Sequence, residues 1–257
     1  MSLLATKDLT IRFGGHVAVN AVTCAFQPGT LTAIVGPNGA GKTTYFNLIS
    51  GQLRASSGQV TLDGRDLSGL SASARTRAGL GRAFQLTNLF PRLTVLENIR
   101  LAVQATRDGA HRRGLNLWSV WSDHKGLMER ADEVLQAVAL ADKAGELVAS
   151  LPHGDQRKLE VALLMALESK VFMFDEPTAG MNSAEAPVIL NLIRKLKEDR
   201  SKTILLVEHK MDVVRELADR IIVLHNGSLV ADGEPAEVIA SPIVQEAYLG
   251  VAPKEAA

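Results

Sequence analysis

Apolar and polar positions along the chain fall into two rhythms. Short runs without a charged residue, apolar but for Thr32 and Thr203, at Leu31 to Val35, Val171 to Phe174 and Thr203 to Val207, each stop at glycine or charged residues, as strands buried within a sheet do. Longer segments repeat apolar residues three and four apart and predict helices. They are Leu93 to Val103, Leu127 to Leu140, the run opened by Gly154-Asp155-Gln156-Arg157 and lasting through Leu167, Ala184 to Glu198, and Met211 to Ala218. Ahead of both, Leu3 to Phe13 and Val17 to Phe26 read as strands around Gly14-Gly15, and Gln59 to Leu62 as another closed by Asp63-Gly64. These predict a mostly antiparallel layer in front of an α/β core. From Ser71 onward the pattern turns helical. Near the end, Ile221 to Leu224 and Ser228 to Ala231 flank Asn226-Gly227, a two-residue hairpin turn, and Pro235 to Leu249 reads as short helices.

The strand ends carry the chemistry. Gly36-Pro37-Asn38-Gly39-Ala40-Gly41-Lys42-Thr43-Thr44 satisfies G-x-x-x-x-G-K-[ST] between the Leu31 to Val35 strand and a helical pattern, the setting of a phosphate-binding loop. Its glycines let backbone N–H groups converge on phosphate oxygens, and the helix opening at Lys42 adds its positive dipole end. Lys42 is expected to reach the β- and γ-phosphates, and Thr43 to offer a hydroxyl to Mg²⁺. Asp175 and Glu176 end a buried strand, where ligands of open α/β sheets collect: Asp175 suits Mg²⁺ and Glu176 suits polarising an attacking water. His209 follows the Thr203 to Val207 strand in the same way and suits phosphate sensing. Phe13 reads equally as an aromatic that stacks on adenine or as a core aromatic at a strand end.

Composition narrows the picture further. With 28 Lys plus Arg against 28 Asp plus Glu, the chain offers no overall basic field of the kind that draws in nucleic acid. The lone Cys24 reads as small core packing and excludes an internal disulfide. No stretch reaches the ~18 apolar residues needed to span a bilayer, so membrane attachment is expected only through other proteins. The segment Arg107 to Gly126, with Trp118 and Trp121, reads as a surface insertion with two half-buried tryptophans or as a basic and aromatic stretch resting against a membrane-embedded partner or lipid headgroups.

Taken in order, these motifs resemble the ATP-binding cassette family over nearly the whole chain. The residues that carry the resemblance are the phosphate loop, Gln85 in Gly81-Arg82-Ala83-Phe84-Gln85, the signature-like Leu151-Pro152-His153-Gly154-Asp155-Gln156, Asp175-Glu176, the loop Thr178 to Asn182, and His209. The resemblance implies ATP and Mg²⁺ as ligands and a P-loop NTPase (RecA-like) core with a parallel sheet, an N-terminal antiparallel layer and a helical subdomain. It implies a single domain over residues 4–250, with the helical part near 86–157 and a frayed tail at 251–257. It further implies that Gln85 contacts Mg²⁺ or the lytic water and reports to a membrane partner, that His209 contacts the γ-phosphate, and that Phe13 packs on adenine. Gly154 and Asp155, within the signature, are implied to close over the phosphate loop of a second cassette subunit.

Arg157 to Val161, Asp175 to Asn182, Val207 to Met211 and Ala247 to Gly250 make the chain look most like cassettes of branched-chain amino acid importers and their amide and urea relatives. That likeness implies two cassettes, two transmembrane permease subunits, an extracytoplasmic solute-binding protein met only indirectly, and a peripheral place on the cytoplasmic membrane face. The signature departs from Ser-Gly-Gly-Gln: Pro152 lacks a hydroxyl and an N–H, and Asp155 is expected to add a negative charge that opposes phosphate. Asn182 replaces the usual aspartate. Alternatives are a cassette serving lipid or lipopolysaccharide export and a non-transport cassette protein. A metabolic P-loop kinase gives no reason for the signature or His209.

Overall fold

Alternation within the apolar runs decides which face of the sheet each residue serves. The computed structural model describes residues 3–83, 89–108, 125–181, 183, 185–242 and 244. Numbered in chain order, β1 (Leu4–Phe13), β2 (His16–Phe26), β4 (Ser57–Leu62) and β5 (Arg65–Asp66) form an antiparallel sheet in the order β2-β1-β4-β5. A second sheet contains β3 (Leu31–Val35), β6 (Leu80–Ala83), β7 (Val171–Asp175), β8 (Thr203–Val207), β9 (Arg220–His225) and β10 (Ser228–Gly233). Its order is β10-β9-β3-β8-β7-β6, parallel except for the β9–β10 hairpin around Asn226-Gly227.

The helices are α1 (Lys42–Ser50), α2 (Ala72–Arg77), α3 (Val95–Asp108), α4 (Lys125–Ala137), α5 (His153–Ala166), α6 (Ala186–Glu198), α7 (Met211–Leu217) and α8 (Pro235–Ala240). Phe172, Phe174, Ile204 and Leu206 face the core shared with α3 to α6, whereas Met173, Leu205 and Val207 face Tyr45 and Phe46 of α1 and the antiparallel sheet. The central strands therefore have no polar face, which is why they read as largely apolar runs. Each such side chain contributes about 1.5–3 kcal/mol on burial. Cys24 is buried, and desolvation pushes its thiol up to about 11, so it acts as core packing. No helix among the described residues is long and apolar enough to cross a membrane.

In the second sheet, the structure corrects the sequence reading at β6. The helical pattern from Ser71 stops at Arg77, and β6 then adds an edge strand that the apolar pattern does not reveal. Gly81 and Arg82 interrupt its apolar character. Its strand form comes from the ladder with β7, Leu80 opposite Val171 through Ala83 opposite Phe174. Gln85, most of the Arg107 to Gly126 segment, Asn182 and the Ala247 to Gly250 run lie outside the described residues.

Candidate functional site

Parallel register brings the chemistry to one edge. Ile34 and Asp175 both pair with Val207, and Ala83 pairs with Phe174, so the carboxyl ends of β3, β8, β7 and β6 lie side by side. The segments leaving those ends are the Gly36 to Thr44 loop, Glu208-His209, and Asp175-Glu176.

The phosphate loop is already folded. Gly41 caps α1 in a left-handed conformation, φ 94°, and a side chain there would run into the Ala18 carbonyl of β2. A side chain on Gly36 would strike the Leu224 carbonyl. Gly227 of the hairpin donates its N–H to Ala40 O at 3.1 Å, and Asn20 N–H reaches Gly227 O at 2.8 Å, so both sheets brace the loop. Pro37 is half-buried, while Asn38, Gly39 and Thr43 are exposed and Thr44 is half-buried, leaving the outer side of the loop open. The first N–H groups of α1 have no partner within the helix. Lys42 is buried and donates from Nζ to Gly36 O at 2.7 Å and Pro37 O at 2.9 Å. Burial holds its ammonium pKa below the usual lysine range, against the opposing charges of Glu176 and Asp175. Its two carbonyl partners satisfy the cation within the loop.

The acids sit in different surroundings. Asp175 is buried, which raises its carboxyl above the usual range, while the hydrogen bond and charge of Arg82 pull the other way. Arg82 Nη2 donates to Asp175 Oδ2 at 2.7 Å. Glu176 is half-buried and has φ 48°, a left-handed conformation that costs a non-glycine residue about 1 kcal/mol or more. Its N–H donates to Val207 O at 2.9 Å, and its Oε1 lies 2.7 Å from His209 Nε2. Glu208, the residue between the Thr203 to Val207 strand and His209, is 3% exposed and accepts from Thr178 Oγ1 at 2.6 Å and from the His209 N–H at 2.8 Å. It thereby ties the turn after Glu176 to the peptide that carries His209. The sequence signal was an acid directly following a buried strand.

The donor set fits a hard metal held jointly with phosphates. Mg²⁺ prefers oxygen, keeps several waters and takes only one or two protein ligands beside substrate phosphates. Among the described residues no group of three or more His, Cys, Asp or Glu could hold a metal ion by itself. The Thr43 hydroxyl and the Asp175 carboxylate are oxygen donors on segments leaving the same sheet edge.

Phe13 is 50% exposed, which overturns its reading as a core aromatic. The signature segment begins α5, with Pro152 as N-cap at φ −55° and no side-chain cap, His153 exposed and Gly154 buried. A side chain on Gly154 would meet Glu185 Oε1 at 3.2 Å. The expected loose negative charge of Asp155 is corrected: Lys143 Nζ lies 2.5 Å from Oδ2 and Lys158 Nζ 2.7 Å from Oδ1. Two cations neutralise it within the chain.

Comparison with known proteins agrees with this arrangement. The ABC transporter family model matches residues 19–179, and the model described as branched-chain amino acid ATP-binding cassette transporter matches residues 228–253. The high-affinity branched-chain amino acid transport ATP-binding protein LivG of Salmonella typhimurium is 38% identical over 251 residues, covering 97% of this chain and 98% of that protein. BraF of Pseudomonas aeruginosa, which carries the same description, is 36% identical with the same coverage. Among solved structures, the ADP conformation of MJ1267, an ATP-binding cassette of an ABC transporter, superposes with a TM-score of 0.81 at 28% identity, covering 98% of this chain and 100% of that chain.

Proposed function

This chain belongs to the ABC transporter family, as an ATP-hydrolysing subunit of the branched-chain amino acid type, and from that premise we propose that it powers uptake of branched-chain amino acids or a related amide- or urea-type solute. The observation that carries the reading is the gathering of the phosphate loop, Asp175 and the Glu176–His209 pair along one sheet edge, in a chain alike throughout to branched-chain amino acid transport cassettes.

In this reading, the loop N–H groups from Gly36 to Thr44 and the Lys42 ammonium hold the triphosphate, and Phe13 packs on adenine. Thr43 and Asp175 would hold Mg²⁺, with Gln85 contacting the metal or the lytic water. When bound, the metal supplies neutralisation of the charge that gathers on the phosphates. Glu176 polarises the attacking water, whose oxygen bonds to the γ-phosphorus as the bond to the β–γ bridging oxygen breaks and ADP leaves, and His209, whose Nε2 lies 2.7 Å from Glu176 Oε1, contacts the γ-phosphate. All these groups come from one side of the nucleotide. The opposite wall is the signature of a second cassette, and this chain's own Gly154 to Asp155 face serves that partner in turn. Two permease subunits anchor the pair at the cytoplasmic membrane face, a solute-binding protein meets them outside, and nucleic acid has no role. The unit is one domain over residues 4–250, with a helical subdomain near 86–157.

Reconstitution in proteoliposomes with its permease subunits, partner cassette and binding protein tests this. ATP-dependent accumulation of radiolabelled leucine or isoleucine is expected. Uptake of neither these nor short amides or urea, with outward lipid movement instead, would replace the importer reading with the exporter one.

A further inference from the structure

The reading of Asp175 as the Mg²⁺ acid leaves unexplained what holds a buried carboxylate in place before the metal arrives. Arg82 lies opposite Met173 in the β6–β7 ladder, so Arg82 and Asp175, two residues further along β7, project from the same face of the sheet. Such diagonal neighbours on one face are within reach of a long side chain. Both side chains are almost fully covered, 7% and 6% exposed, and the Nη2–Oδ2 distance is 2.7 Å.

The other end of the guanidinium is fixed too. Nη1 donates to Asn47 Oδ1 at 2.6 Å and to Ser50 Oγ at 2.9 Å, and the cation lies over the Phe46 ring at 5.0 Å from its centroid. Asn47, Ser50 and Phe46 all belong to α1, the helix whose first turn is the phosphate loop. One planar cation therefore joins the strand that ends in Asp175 to the helix that begins at Lys42 and Thr43. Lysine, a point charge on a flexible stem, cannot make this fork.

We propose that Arg82 is a positioning residue for metal binding: it grips Asp175 through Oδ2 and indexes that carboxylate to α1, so that Oδ1 is presented to the metal at a set place relative to the Thr43 hydroxyl. The inference rests on the assignment of Asp175 to Mg²⁺. Groups that orient metal ligands from behind commonly contribute ten- to a hundredfold in metal affinity or activity.

The test is ATP binding by titration calorimetry with the full chain in a Glu176→Gln background, with Mg²⁺ and with EDTA, taking the ratio of the two affinities. Asp175→Asn serves as the reference and should collapse the ratio; if it does not, the assignment of Asp175 fails, and the inference with it. Given that collapse, Arg82→Met is expected to reduce the ratio about tenfold while leaving binding in EDTA within about twofold. A merely structural Arg82 would lower the melting temperature and leave the ratio unchanged, and a ratio that rose would make Arg82 a competitor of the metal; either result overturns the inference. Should Arg82→Met fail to fold, the Asn47→Ala, Ser50→Ala pair, which retains Arg82 and frees only its far end, decides: a several-fold fall supports the positioning role and an unchanged ratio refutes it.

Discussion

At the residue scale, the sheet edge combines strain with restraint. Glu176 is held in a left-handed conformation by its own N–H bond to Val207 O, while its carboxylate meets the His209 ring. Glu208 receives both the Thr178 hydroxyl and the His209 N–H, so one buried carboxylate ties the turn after Glu176 to the peptide of His209. Replacing Glu208 by Ala leaves the buried Thr178 hydroxyl and the part-buried His209 N–H without their acceptor. Each unsatisfied buried group costs about 1–3 kcal/mol, so urea unfolding should show a loss of at least that size, accompanied by slower ATP turnover. Unchanged stability would mean that water serves both donors equally well.

At the element scale, the start of α5 shows how a helix terminus adapts to an altered signature. Pro152 supplies a pre-set φ and a carbonyl that accepts from Asp155 N–H at 3.0 Å and Gln156 N–H at 3.1 Å. Asp155 then ties the first turn to the short 3₁₀ segment Ala141–Lys143 through Lys143, and to its own helix through Lys158. Burial raises the Asp155 carboxyl, but the two lysine hydrogen bonds and charges outweigh this and hold it below the usual range. A depressed folded pKa means stability that is present above the unfolded value of about 3.9 and lost as pH falls through the lower folded value. Asp155→Asn should therefore melt below the wild type at pH 7, and the gap should close as pH drops below about 4. A gap independent of pH would assign the effect to packing instead.

At the scale of the whole molecule, the phosphate loop, Asp175 and the Glu176–His209 pair lie on one sheet edge with Asn38, Gly39 and Thr43 exposed, and in the proposed reading the far side of the nucleotide is left to another chain. With ATP and Mg²⁺, Glu176→Gln should bind nucleotide normally, sediment as a dimer and lose at least ~10²-fold in turnover. Wild-type turnover per subunit should rise with protein concentration or with added partner cassette. Full activity in a dilute monomer, indifferent to both, would remove the shared-site mechanism.

The sequence by itself determined the elements whose cause is local: the phosphate loop from its glycines, the central strands from largely apolar runs, the hairpin from Asn226-Gly227, and the acids and histidine from their places at strand ends. Only the tertiary structure decided what depends on partners distant in the chain. β6 is a strand because β7 pairs with it, Asp155 is neutral in effect because two lysines reach it, Phe13 lies at the surface because its strand end leaves the core, and Arg82 meets Asp175 because ladder register puts them on one face. Local chemistry is written in neighbouring residues; charge compensation and register arise only when strands remote in sequence lie side by side.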